Sequence, residues 1–262
     1  MLREAAAETV LPHYQRLRAG DVAEKAAGEV VTVADTACES WLTPRLHALL
    51  PDSIVVGEEA TAADPALLTR VGGAGWVWLL DPVDGTGNFA AGREPFAVMA
   101  ALVREGETIA AWLLDPVSDS LVTAERGGGA WQDGAPLRAP SVGVALDELH
   151  GSVHARYLPM PLREEVRERA TALGTPAEPL HCAGAEYPAV ITGARHFSLY
   201  WRTLPWDHAP GVLIAQEAGA AAARPDGTPY FPADDRRGLL LATDQPTWEK
   251  VQRTLFPSGV DG

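Results

Sequence analysis

The chain has 262 residues, of which 47% are hydrophobic and 21% charged, and its formal net charge is −14. That length accommodates one large core or two closely packed halves, and the balance is that of a soluble globular protein. An acidic chain with no basic run longer than Arg236-Arg237, and no apolar stretch near the ~18–20 residues of a membrane span, argues against nucleic-acid or membrane binding.

Residues 1–7 lack the basic-then-apolar layout of a signal peptide, so a cytoplasmic setting is expected. Residues 2–18 can form a helix that Pro12 kinks or restarts. Residues 25–33 read as a loop entering an apolar strand over 30–33. Asp35 then stands as N-cap or first-turn acid of a helix reaching about residue 50, with Cys38, Leu42, Leu46 and Leu49 on one face. A short strand over 54–56 ends in Gly57-Glu58-Glu59, and 60–75 is a polar, glycine-rich excursion. Residues 76–80 form a buried strand that leads directly into Asp81-Pro82-Val83-Asp84-Gly85-Thr86. Strands follow over 96–103, 108–114 and 121–124, then a hairpin over 127–134 with Asp133-Gly134 at its turn. Beyond it, strands over 149–153, 180–182, 197–201 and 238–243 are interspersed with helices over 161–173, 184–192, 206–218 and 246–255. The regular βαβ period of roughly 30 residues is missing, so layers of mixed sheet and helix are expected rather than a Rossmann sheet or a (β/α)8 barrel. Neither GxGxxG nor GxxxxGK[ST] occurs, and Cys38 and Cys182, without CxxC spacing, read as small buried thiols.

Chemistry concentrates in the acids. Asp81 and Asp84, closed by Gly85-Thr86 behind a buried strand, are what a site holding divalent metal against phosphate needs. Held close, two anions repel and require cations. Glu58 and Glu59 follow a strand end, and Asp35 and Asp207 open helices, where free N–H groups favour anions. Taken singly, Asp35 and Asp207 read as helix caps, Glu58-Glu59 as a solvated pair, and Asp81/Asp84 as an Asx-type turn. Their joint occurrence at element ends moves the reading toward a site.

These blocks, in this order, resemble the inositol monophosphatase family of lithium-sensitive, magnesium-dependent phosphatases. The first signature appears as Asp81-Pro82-Val83-Asp84-Gly85-Thr86-Gly87-Asn88-Phe89, the second as Trp206-Asp207-His208-Ala209-Pro210-Gly211 followed by Glu217-Ala218-Gly219. Lys25, Val31-Thr32-Val33-Ala34-Asp35, Gly57-Glu58-Glu59 and the 128–134 hairpin extend the likeness over nearly the whole chain. The resemblance implies an α+β fold, a layered αβαβα sandwich of the inositol monophosphatase / fructose-1,6-bisphosphatase type. It implies one domain over 1–262 with two packed halves, roughly 1–145 for metal binding and 146–262 for substrate specificity. The implied activity is that of a phosphoric monoester hydrolase using metal-activated water and two to three Mg²⁺ ions. Glu58, Asp81 and the carbonyl of Val83 would hold one ion, and Asp81, Asp84 and Asp207 a second. Glu58 would share a third and count among the catalytic residues. Asp35 and Thr86, as a bonded pair, would orient the water. Gly85 and Thr86 N–H groups, beside Asp84, would hold phosphate, with room provided by the missing Cβ of Gly85. The implied partner is a small phosphate ester, and the implied assembly a homodimer.

Substrate choice is where the likeness departs. Inositol-hydrolysing members carry an acid seven positions before the residue matching Asp207; here that position is Tyr200. Leu204 stands where His is common, and Arg202 lies nearby. Glu186 is expected on a pocket-lining helix, either contacting a polar or cationic group or standing as a surface acid. Histidinol phosphate, a sugar phosphate or a nucleotide 3′-phosphate are therefore alternatives to inositol phosphate. An alternative of another class is a catalytically silent, metal-binding regulatory protein on the same scaffold. His154, Arg156 and Tyr157 read as a surface loop or as a polar group within reach of the substrate, and His208 as a neutral residue on a helix surface or interface.

Overall fold

The computed structural model describes residues 1–26 and 28–259. The expected 25–33 loop includes Ala27, which lies outside the described residues. Helix α1 (Leu2–Ala5) runs into a π-helical segment over Ala6–Val10, where Leu11 N–H reaches the Ala6 carbonyl at 2.8 Å. Residues 11–16 are turns, so the helix expected over 2–18 stops early, ahead of Pro12, which has no N–H to continue it. Strands β1 (Val22–Ala26) and β2 (Glu29–Thr32) form an antiparallel hairpin; β2 answers to the strand expected over 30–33, whereas Lys25 and Ala26, expected as loop, belong to β1. Val33 is not strand but the first residue of α2 (Val33–Leu49). Its start is a capping box: the Ala34 N–H donates to Thr32 Oγ1 at 3.2 Å, and the Thr32 N–H donates to Asp35 Oδ2 at 2.9 Å. Cys38, Leu42 and Leu46 are buried, but Leu49 is 62% exposed at the helix end and leaves the expected apolar face.

Strand β3 (Ile54–Gly57) passes without a loop into α3 (Glu58–Ala63), and β4 (Trp76–Asp84) is longer than expected. The acid motif lies inside β4 as an irregularity. Against β5 (Ala97–Arg104), Asp81 pairs Met99 and Asp84 pairs Ala97, so three steps on one strand match two on the other. Helix α4 (Thr86–Ala90) follows at once. Strands β6 (Glu107–Asp115), β7 (Ser120–Glu125), β8 (Gly129–Gln132) and β9 (Ala135–Leu137) complete a seven-stranded sheet in the order β3-β4-β5-β6-β7-β8-β9, antiparallel except for β3 with β4. Asp133 and Gly134, both at positive φ, make the expected turn.

The remaining elements are β10 (His150–Val153), α5 (Leu162–Ala170), β11 (Thr175–Pro176), α6 (Ala183–Ile191), β12 (Phe197–Tyr200), α7 (Pro205–Ala218), β13 (Ala221–Ala223), β14 (Leu239–Ala242) and α8 (Gln245–Leu255). They build a five-stranded sheet in the order β11-β10-β12-β14-β13. Residues 180–182 form no strand, contrary to expectation.

Alternation along the strands sets five layers. Trp78 and Leu80 of β4 face α1 and α2, while Val77 and Leu79 face a core shared with α6, α7, Tyr200, Leu239 and Leu241. On the second sheet Phe197, Leu199, Leu240 and Ala242 turn the other way, against Val166 of α5 and Trp248, Val251 and Leu255 of α8. The order is helix, sheet, helix, sheet, helix, the expected αβαβα sandwich. Helix α7 lies between two sheets and is apolar almost all round, as such a position requires. Among the described residues no helix is long and apolar enough to cross a membrane.

Candidate active site

The two parallel strands β3 and β4 end side by side, and ligands favour the carboxyl ends of such strands. Glu58 follows β3 directly, and Asp81 and Asp84 close β4. Pro205 opens α7, and its first turn carries Asp207. Glu58, Asp81, Val83, Asp84, Gly85, Thr86 and Asp207 all line one cleft of about 1030 Å³, as do Tyr200 and Arg202.

Asp35 is fully buried behind the cleft and does not line it. It is reached through Thr86, whose Oγ1 lies 3.0 Å from Asp35 Oδ1 and 2.8 Å from the Val83 carbonyl. One hydroxyl proton serves one of these acceptors at a time. Lys25 Nζ donates to Glu58 at 2.6 Å and to Glu59 at 2.7 Å. Asp84 Oδ2 accepts from the Gly184 N–H at 2.6 Å and from Cys182 Sγ at 3.1 Å. Among the described residues no three His, Cys, Asp or Glu side chains are gathered as ligands of one ion. Gly85 has φ 84°, and a Cβ there would meet Pro95 O at 3.0 Å and Cys182 Cβ at 3.1 Å. Glycine is therefore required there by the backbone and by protein packing.

The acids share an electrostatic problem. Burial, and then the charges of Glu58, Asp84 and Asp207, push the Asp81 carboxyl well up. Asp207 is pushed up by burial and by Glu58 and Asp84. Asp84 rises to about 6 through burial, against the opposing bonds from Gly184 and Cys182. Asp35 also rises to about 6 through burial, although Thr32 and Thr86 bond to it. Burial would lower the Lys25 ammonium, yet Glu58 and Glu59 leave it raised. Basic residues Lys25, Arg93, Arg156, Arg163, Arg167 and Arg202 line the cleft, which offsets locally a net charge of −14.

The specificity residues stand differently. Glu186 is fully buried and does not line the cleft. Arg195 Nη1 bonds it at 2.8 and 2.9 Å, the Leu180 N–H at 2.7 Å and Ser198 Oγ at 3.0 Å. Neither a substrate contact nor a surface acid, it ties α6 to β12 and to the segment before α6. Burial alone would raise its pKa, but His154, Leu180 and Arg195 leave it lowered. Tyr200 is buried beneath His154, with ring centroids 4.5 Å apart. Arg202 is paired with Glu29 and lies 4.3 Å over the Tyr157 ring, so its charge is already engaged. His154, Arg156 and Tyr157 line the cleft. His208 is neutral as expected but buried, not superficial; burial lowers it to about 3, and it lies 3.0 Å from Tyr187 Oη and 3.2 Å from the Arg202 carbonyl. Sequence reasoning missed Cys182 and Gly184 as holders of Asp84, because they lie about 100 residues away. It also missed Glu39, whose one signal was its place a helical turn after Asp35.

Residues 1–255 match the model of the inositol monophosphatase family. An inositol-1-monophosphatase of Rhizobium meliloti is 30% identical over 79% of this chain and 76% of its own. The Nus factor SuhB of Pseudomonas aeruginosa is 28% identical over 97% of this chain and 92% of its own. Inositol monophosphatase II of Staphylococcus aureus superposes with a TM-score of 0.75 at 26% identity, over 86% of this chain and 82% of that one. A family match spanning almost every residue, together with a phosphatase relative at this identity, places the chain in the inositol monophosphatase family as a phosphoric monoester hydrolase.

Proposed function

We propose that this enzyme hydrolyses a small-molecule phosphate monoester with Mg²⁺, held by Glu58, Asp81, Asp84, Asp207 and the Val83 carbonyl. The observation that supports it is the set of mutually repelling acids on one cleft. Every donor is an oxygen, which suits Mg²⁺, and a cation would relieve the repulsion that raises Asp81, Asp84 and Asp207. When bound, Mg²⁺ supplies Lewis acidity toward the phosphoryl oxygens and toward water.

The remaining work belongs to the chain. Donation from Thr86 Oγ1 to Asp35 leaves the hydroxyl's lone pairs free to accept from a water and orient it. Asp35, with a pKa near 6, can receive a proton at neutral pH, relayed through Thr86. The Gly85 and Thr86 N–H groups at the start of α4 are the donors for phosphate oxygens. Positioning and charge compensation therefore carry the catalysis.

The same reading includes lithium sensitivity, a homodimer, a cytoplasmic setting and a substrate half over 146–262. With Tyr200 in place of a sugar-binding acid, and both Glu186 and Arg202 already paired, the alcohol is left to the alternatives of inositol, histidinol, sugar or nucleotide. The test is phosphate release, with Mg²⁺ and with EDTA, from inositol-1-phosphate, histidinol phosphate, fructose-1,6-bisphosphate, NADP and 3′-phosphoadenosine 5′-phosphate. Mg²⁺-dependent release from at least one is expected. None from any ester would favour the silent metal-binding alternative.

A further inference from the structure

Glu39 lies on the same face of α2 as Asp35, one turn later, yet it does not line the cleft. It is 7% exposed. Its carboxylate accepts from the Glu59 N–H at 2.9 Å and from the Ala60 N–H at 2.8 Å. Those are first-turn donors of α3, which have no partner within their own helix. A side chain from α2 thus caps a helix 20 positions further along the chain.

Gly57 gives an independent sign of the same contact. Its φ of −92° and ψ of 158° are ordinary extended values, open to any residue. A Cβ there, however, would meet the Glu39 carboxyl carbon at 2.3 Å. Glycine is needed because the carboxylate occupies that space. Glu58 sits between these two contacts, one on the residue before it and one on the residue after it. Its backbone cannot shift unless Glu39 moves.

Placing Glu39 here is electrostatically unfavourable. Burial pushes its carboxyl up, the bonds from Glu59 and Ala60 oppose this, and the charges of Glu59 and Glu58 add to the rise. One face of α2 therefore sets two distances in the site: Asp35 to Thr86, and Glu39 to the start of α3.

We propose that Glu39 is a positioning residue of the phosphatase centre, fixing the origin of α3 so that Glu58 is held ready for a divalent cation. This rests on the reading of Glu58 as a cation ligand.

The test uses the full chain with Glu39→Ala, Glu39→Gln, Gly57→Ala and the double variant Glu39→Ala/Gly57→Ala. Three quantities are measured: amide hydrogen exchange at Glu59 and Ala60 without metal, Mn²⁺ binding by calorimetry, and the Mg²⁺ concentration for half-maximal phosphate release. Glu39→Ala should speed exchange at both amides and weaken Mn²⁺ binding and Mg²⁺ activation by about tenfold, as loss of an outer-shell partner does. Glu39→Gln retains one acceptor and should fall between. Gly57→Ala should resemble Glu39→Ala in the wild-type background, but add less than about twofold once Glu39 is gone, because the contact no longer exists. Leu46→Ala, elsewhere on α2, should lower stability without moving the Mg²⁺ requirement. Wild-type Mn²⁺ affinity in Glu39→Ala, or full additivity in the double variant, overturns the proposal. If the wild type itself binds neither Mn²⁺ nor Mg²⁺, the ligand reading of Glu58 fails and takes the proposal with it. Should Glu39→Ala not fold, Glu39→Gln and Gly57→Ala carry the comparison.

Discussion

Two groups of acids, one lining the cleft and one buried away from it, are treated in opposite ways. Along β3, β4 and the first turn of α7, burial and the charge of Glu58 push Asp81, Asp84 and Asp207 up, and Asp84 adds to the rise of Asp81 and Asp207. On α6, Glu186 is fully buried, and Arg195, the Leu180 N–H and Ser198 surround it. A fully compensated acid is part of the scaffold; acids left in mutual repulsion mark a place where something else must bind.

The largest effect should fall on the uncompensated side. Asp84→Asn and Asp207→Asn are each expected to lower kcat/KM by about 10³ or more, since each would remove a carboxylate proposed to hold the divalent cation. Their metal-free melting temperatures should rise, because a repelling charge has gone. Near-normal turnover in both would remove the functional reading of this wall.

Glu186→Ala should behave in the reverse manner. It leaves Arg195 buried without its carboxylate, a loss of about 3–5 kcal/mol in stability, visible in urea unfolding. Replacing both partners, as Glu186→Leu with Arg195→Met, should recover much of it. A Glu186→Ala protein of unchanged stability but lost activity would break the distinction drawn here.

Thr86→Val tests the connection between the cleft and the acid behind it. Removing the hydroxyl that meets Asp35 should reduce kcat by about 10² in a pre-steady-state phosphate assay, within the range of general-base loss.

The smallest effect is the pH response of the metal-free protein. Asp35 and Asp84 rise from 3.8 to about 6 in the folded state. The fold binds their protons more tightly than the unfolded chain does, so their contribution is full below pH 3.8 and is lost as the pH climbs through about 6. Melting temperature without metal should therefore fall across that window, and Mg²⁺ should restore it at neutral pH. Asp84→Asn should flatten the fall. Glu186, with its lowered pKa, works in the opposite sense and loses stability as the pH drops.

Much of the fold was legible where its parts are local. The strand at 76–80, the Asp-Gly turn and the helix start at Asp35 each depend on residues within a few positions. Elements whose form depends on distant pairing were not. The end of β1 read as loop although β2, its partner, was expected, β4 continues through its acids in pairing with β5, and residues 180–182 gained no strand. Leu49 matched the helical period but lies 62% exposed at the end of α2.

The sequence by itself determined which carboxylates stand at strand ends and helix starts, since backbone direction and turn chemistry are set over a few residues. Only the tertiary structure decided which acids would be neutralised. Arg195 reaches Glu186 from across the end of α6, Gly184 and Cys182 reach Asp84 from the second half of the chain, and Glu39 reaches α3 from a neighbouring helix. The charge state of a buried group is set by the partners that packing places within about 3–4 Å of it, and those partners come from any point along the chain.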